Sequence, residues 1–235
     1  AMADYYHQCM VTAAPGQAVV IGGYSLGGVI ALEVARRWHA AGNTVAQLVL
    51  LDTYPNTPEV QTLFSSLRDQ GVYQILLANM FLATRGFSPV QITEADIAAV
   101  PDALKLGELA RLVSERSSGK VSEHDIYRAL LGTLAVSNFT GEAFKRFSIK
   151  SYNASDVLFL RAGQGFVLSD EGSFSDMLRE FRTFDYIVPW RKIIRTHMAV
   201  QTLDTDHFSL LGPESAPKVR QILQEILSGC APRHR

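Results

Sequence analysis

The stretch Gly23-Tyr24-Ser25-Leu26-Gly27-Gly28 constrains this chain more than any other. It follows Ala18-Val19-Val20-Ile21-Gly22, a short run dense in β-branched residues, and precedes a helical pattern from Leu26 to Ala41. A serine in G-x-S-x-G between a strand and a helix sits on a tight turn with strained backbone angles, its hydroxyl raised above the sheet edge. Side chains two residues before and after the serine, at Gly23 and Gly27, are expected to collide with strand or helix, which accounts for the glycines. Leu26 opens the helix, so its backbone N–H is expected to face a developing oxyanion. The glycine-rich turn lacks the lysine of a phosphate-binding loop.

A second apolar run, Leu48-Val49-Leu50-Leu51, ends at Asp52 and completes a strand–helix–strand unit, with Gly42-Asn43 closing the intervening helix. Continuous apolar strands suggest a parallel sheet covered on both faces. Asp4 to Ala14 reads as a helix ending at Pro15-Gly16. From about Glu59 to Phe147 the periodicity is helical without a convincing strand, Gly71 is expected to break it, and Ser122-Glu123-His124-Asp125 looks like a capping box. Such a stretch is too long for an ordinary connection, so an insertion of about residues 56–150 is expected to be a helical lid. The sheet resumes at Val157-Leu158-Phe159-Leu160 and again at Met198 to Leu203. A closing amphipathic helix carries Val219, Ile222, Leu223, Ile226 and Leu227, with Gly229 as its terminator.

A serine hydroxyl needs a base. Of six histidines, five fall in helices, caps, the tail or the opening of a strand. His207 alone stands in the loop Leu203-Asp204-Thr205-Asp206-His207-Phe208 between the last strand and the last helix, where a base reaches the sheet rim. The acid has two candidates. Asp52 ends the strand after the nucleophile helix; Asp170 follows the third strand after a flexible-looking stretch. Asp52 is preferred, to hold the His207 tautomer and stabilise the imidazolium. Asp204 and Asp206 are read as residues that shape their turn. The order Ser25…Asp52…His207 in this alternation of elements predicts an α/β-hydrolase fold: a mostly parallel sheet flanked by helices, with a helical lid insertion.

The charge balance, 22 basic against 23 acidic residues, gives no sign of an electrostatic grip on nucleic acid or an anionic membrane. No apolar run reaches the length of a membrane span. Two cysteines, Cys9 and Cys230, make neither a disulfide framework nor a metal site, and no signal peptide is visible, which together point to the cytoplasm.

Three segments together, Gly23-Tyr24-Ser25-Leu26-Gly27-Gly28, Leu50-Leu51-Asp52-Thr53-Tyr54-Pro55 and Asp206-His207-Phe208-Ser209-Leu210-Leu211, resemble the terminal (type I) thioesterase domains of nonribosomal peptide and polyketide synthases. The resemblance runs from about residue 4 to residue 229. It implies Ser25 as the acylated nucleophile, Asp52 as the acid and His207 as the base. It also implies a substrate, an acyl or peptidyl chain on the phosphopantetheine arm of a carrier domain lying upstream in the same polypeptide, and no cofactor within the domain itself. Release would follow by hydrolysis or macrocyclisation. Members of that family have further strands ahead of the helix that opens this sequence, and the loop after the first of them supplies a second oxyanion N–H. The chain, 1–235, is therefore expected to be a single thioesterase domain lacking its N-terminal strands, with Leu26 the one donor that can be assigned. Tyr24 and the lid residues Phe64, Leu76 and Met80 are candidate acyl contacts, as are Leu77 and Phe81; each could equally serve packing. A stand-alone editing thioesterase using Asp170, a carboxylesterase or lipase, and an inert carrier-docking module stay open as alternatives.

Overall fold

The computed structural model describes residues 2–69, 72–84, 92–165 and 184–230. Its contacts divide the chain into two units, the first built from Ala1–Thr57, Ile149–Gly165 and Asp185–Arg235, the second including Pro58–Ser148.

The first unit is a four-stranded parallel sheet in the order β1-β2-β3-β4, with β1 Val19–Tyr24, β2 Val45–Leu51, β3 Val157–Ala162 and β4 Met198–Leu203. Register pairs Tyr24 with Leu51, Leu51 with Leu160 and Ala162 with Leu203, so the C-terminal ends of all four strands share one rim. Helix α2 (Leu26–Ala40) packs on β1 and β2, and α1 (Met2–Ala13) packs on α2; α8 (Ile187–Ile193) precedes β4 in the chain and α9 (Ala216–Cys230) follows it.

The β2 run Leu48, Val49, Leu50 and Leu51 is buried on both faces, as its unbroken apolar sequence requires. Val49 and Leu51 join Leu160, Leu203 and Leu210 in one cluster with Val219 and Ile222 of α9. By alternation Leu48 and Leu50 face the opposite side. There Phe159, the register partner of Leu50, meets the rings of Tyr186 and Trp190, the latter on α8. Helix α2 ends in a Schellman motif. Gly42, at φ 84°, donates to the His39 carbonyl at 2.9 Å and Asn43 to that of Trp38 at 3.1 Å, so the expected cap is present with its reason: only glycine takes that backbone angle freely. Gly229 does not terminate α9, which continues through Cys230.

The second unit is helical among the described residues: α3 (Pro58–Asp69), α4 (Val72–Thr84), the short α5 (Glu94–Ile97), α6 (Lys105–Arg116) and α7 (Glu123–Arg146). Ser122 caps α7 by accepting from the Asp125 N–H at 3.1 Å. The core of this unit gathers Ile75, Leu77, Phe81 and Leu82 of α4 with Leu109 and Val113 of α6 and Ile126 and Leu130 of α7. Gly71 lies outside the described residues. Among those described, no helix is long and apolar enough to cross a membrane.

Candidate active site

Ser25 stands between β1 and α2 with φ 54° and ψ −125°, a conformation costly for any residue with a Cβ. Of the described non-glycine residues, only Ser25, Asp52 (φ 44°) and Ser118 (φ 56°) have positive φ. Two of the three therefore lie at the rim of the parallel sheet. The strain is held by neighbouring backbone: Ser25 N–H donates to the Leu51 carbonyl at 2.9 Å, and Asp52 N–H to the Leu160 carbonyl at 2.7 Å. The turns after β1 and β2 are thus each tied to the neighbouring strand, β2 and β3 respectively.

The glycines of the elbow do not all act as their spacing suggests. A Cβ on Gly23 would lie 2.1 Å from the Gly27 carbonyl oxygen, so the strand meets the first turn of α2 there with no room for a methyl group. A Cβ on Gly27 would meet nothing within 4 Å among the described residues, which corrects the expectation of a collision two residues after the serine. The crowded position is Gly28, where a Cβ would fall 1.9 Å from Thr53 Oγ1. The physical reason is helical geometry: position 27 turns outward while position 28 faces the segment that follows β2.

Asp52 and His207, 155 residues apart, are joined by a 2.7 Å hydrogen bond between Asp52 Oδ2 and His207 Nδ1. Asp52 has no exposed surface and His207 has 4%. A buried carboxylate must have its lone pairs occupied. Its second oxygen, Oδ1, accepts from the Ala162 backbone N–H at 2.8 Å and from the Tyr186 hydroxyl. With Oδ1 occupied in this way, Oδ2 is directed at the imidazole, which fixes the His207 proton on Nδ1 and leaves Nε2 as the basic nitrogen. Burial, and then the nearby Asp52 charge, push the Tyr186 phenol well above its ordinary range, so it remains a donor. Its ring stacks on Tyr54 at 4.2 Å and carries the Arg161 guanidinium at 5.1 Å. Trp190 Nε1 donates to the Thr53 carbonyl at 2.6 Å, anchoring the turn beyond Asp52.

His207 is held through its backbone and its own loop too. Its N–H donates to the Gly165 carbonyl at 2.8 Å, and Asp206 Oδ1 accepts from the N–H groups of Phe208 and Ser209, the turn-shaping role expected of it. Asp204 accepts from Gln164 at 3.0 Å. Leu26 is the first residue of α2, where a backbone N–H has no acceptor within its own helix. Tyr24, adjacent to Ser25, donates its hydroxyl to the His207 carbonyl at 2.5 Å.

Phe64 is half-buried and Leu76 is buried, both within the second unit. Leu77 and Phe81 belong to that unit's own core, the packing alternative for them. The side chain of Met80 and all of Asp170 lie outside the described residues. What sequence reasoning missed is Tyr186 and the Ala162 N–H. Neither has a local signal: Tyr186 is one of several aromatics between Phe181 and Trp190, with no feature that marks it as the one brought to Asp52 across 134 residues.

A strained serine between a parallel strand and a helix, with a buried aspartate–histidine pair at the same sheet rim and in the order Ser, Asp, His, defines an α/β-hydrolase. Residues 1–227 match the family model described as the Thioesterase domain, and the chain belongs to that family of hydrolases. It is related to the thioesterase domains of nonribosomal peptide and polyketide synthases. It is 26% identical over 232 residues to the polyketide synthase PksR of Bacillus subtilis (strain 168), a match spanning 96% of this chain and 9% of PksR. Among solved structures it resembles a four-domain nonribosomal peptide synthetase bound to AMP and glycine (TM-score 0.62, 18% identity, 96% of this chain, 15% of that one). It also resembles the Vlm2 thioesterase domain (TM-score 0.50, 17% identity, 95% of this chain, 73% of that one). At these identities the structural likenesses speak for the fold. The chain spans well under a fifth of the length of PksR and of the four-domain synthetase.

Proposed function

We propose that this domain releases an acyl or peptidyl chain from the phosphopantetheine arm of a carrier domain in the same polypeptide, through an acyl-Ser25 intermediate. The observation that carries the proposal is the buried Asp52–His207 bond at the rim that also bears the strained Ser25, in a member of the thioesterase family. His207 Nε2 takes the Ser25 proton as Oγ attacks the thioester carbonyl. Asp52 accepts from Nδ1–H and stabilises the imidazolium, and the Leu26 N–H donates to the oxyanion. The C–S bond breaks, His207 returns the proton to the departing thiolate, and the ester on Ser25 remains. Water then attacks the ester to release an acid, or an amine or hydroxyl of the chain attacks to release a ring. No resident cofactor enters this scheme.

The test is intact-protein mass after incubation with an acyl-pantetheine thioester. An adduct equal to the acyl group, absent in Ser25→Ala, is expected. A simple aryl ester run in parallel tests the thioester preference. Failure of wild type to acylate, or an adduct that persists in Ser25→Ala, would remove Ser25 from the nucleophile role.

A further inference from the structure

Asp52 fixes only one edge of the His207 ring. A hydrogen bond at Nδ1 does not by itself fix the tilt of an imidazole, and a tilt moves Nε2 sideways. Proton transfer tolerates little of this, since the basic nitrogen must come within hydrogen-bond reach of the attacking oxygen. Something beyond Asp52 must set the tilt.

Tyr24 makes two separate contacts with His207. Its hydroxyl donates to the His207 backbone carbonyl at 2.5 Å, and its ring lies nearly parallel to the imidazole, with centroids 5.0 Å apart and planes 24° apart. Phe208 meets the same imidazole edge-on at 5.2 Å and 88°. Tyr24 is itself held at the backbone by sheet pairing, being the last residue of β1 and the register partner of Leu51. Its place in the chain, directly before Ser25, ties the base to the turn that carries the nucleophile. We propose that Tyr24 is a positioning residue for His207: the hydroxyl pins the loop at the His207 carbonyl and the ring backs the imidazole face, so that nucleophile and base move as one body. The inference rests on Ser25 and His207 acting as nucleophile and base. It replaces the expectation of Tyr24 as an acyl contact with a role that acts through the base.

Two variants separate the two contacts. Tyr24→Phe keeps the ring and loses the hydroxyl; Tyr24→Leu loses both. The readout is the second-order rate of labelling by a small alkyl fluorophosphonate, in which the Ser25 O–P bond forms, the P–F bond breaks and the serine proton passes through His207 to solvent. That probe has no long acyl chain, so it reports activation of the serine and not acyl binding. Loss of one hydrogen bond predicts a fall of roughly 3–10-fold for Tyr24→Phe. Loss of the stack as well predicts about 10–100-fold for Tyr24→Leu. With an acyl-pantetheine substrate, kcat should fall in parallel while KM stays near wild type. Labelling at the wild-type rate in Tyr24→Phe, or a raised KM with kcat kept in either variant, would overturn the inference, and the Phe variant decides alone if the Leu variant does not fold. Failure of the unmutated protein to be labelled overturns the Ser25–His207 reading itself, an outcome that needs no Tyr24 variant to see.

Discussion

Adding a methyl group at Gly23 and at Gly27 should have opposite consequences, although both glycines belong to the same five-residue motif. A Cβ at Gly23 would stand 2.1 Å from the Gly27 carbonyl oxygen, 2.3 Å from its carbon and 2.6 Å from the Gly28 nitrogen. All three are backbone atoms of the first turn of α2, which cannot swing aside as a side chain can. Restoring ordinary contact distances needs an opening of more than about 1 Å between strand and helix. Overpacking of this kind costs about 3 kcal/mol, and for a chain of this size about 1 kcal/mol moves Tm by roughly 2–4 °C. Gly23→Ala should therefore lower the Tm of the first unit by about 6–12 °C and abolish fluorophosphonate labelling of Ser25. Gly27→Ala meets open space and sits in a helix, where alanine is favoured over glycine by up to about 1 kcal/mol. It should leave labelling intact and leave Tm unchanged or slightly raised. At Gly28 the obstacle is the Thr53 side chain at 1.9 Å, so Gly28→Ala should be partly rescued by Thr53→Ala. Differential scanning calorimetry with labelling on the same samples decides the matter. Equal destabilisation at positions 23 and 27 would refute the steric account of the elbow.

Asp52→Asn should cut turnover by about 10⁴ with little loss of fold. Its carbonyl oxygen will accept from Tyr186 and Ala162, which turns the amide NH₂ toward His207 Nδ1 and forces the proton onto Nε2; unchanged kcat would contradict this. Tyr186→Phe leaves Asp52 Oδ1 with the Ala162 N–H and should cost about 1.5–3 kcal/mol in urea unfolding, the worth of a hydrogen bond to a charged group; an equally stable variant would show the bond to be idle. In the second unit, Asp96 is held below the usual carboxylate range: partial burial opposes this, but hydrogen bonds from the Thr93 N–H and hydroxyl and from Arg116 outweigh it. A depressed folded-state pKa gives stability that is present above the unfolded value and is lost as pH falls through the folded one. Wild type should exceed Asp96→Asn in stability at neutral pH, and the gap should close as pH drops below about 4; a gap independent of pH would refute the assignment.

The alternation of strand and helix, the strained serine turn and the pairing of Asp52 with His207 were legible in the sequence. These are local signals: burial on both faces demands unbroken apolar runs, and a strained turn demands glycine where it touches a neighbour. Even His207 was reached locally, by its loop between a strand and the last helix. The tertiary structure alone decided how the carboxylate is held. Tyr186 and the Ala162 N–H reach Asp52 across 134 and 110 residues, and nothing in their own surroundings requires them to do so. It also decided which elbow glycines are crowded, because a clash depends on what the opposite segment brings and not on spacing within the motif. Sequence carries the chemistry each residue can do; the partner that satisfies a buried charge is chosen only when distant strands align in register and the charge leaves water.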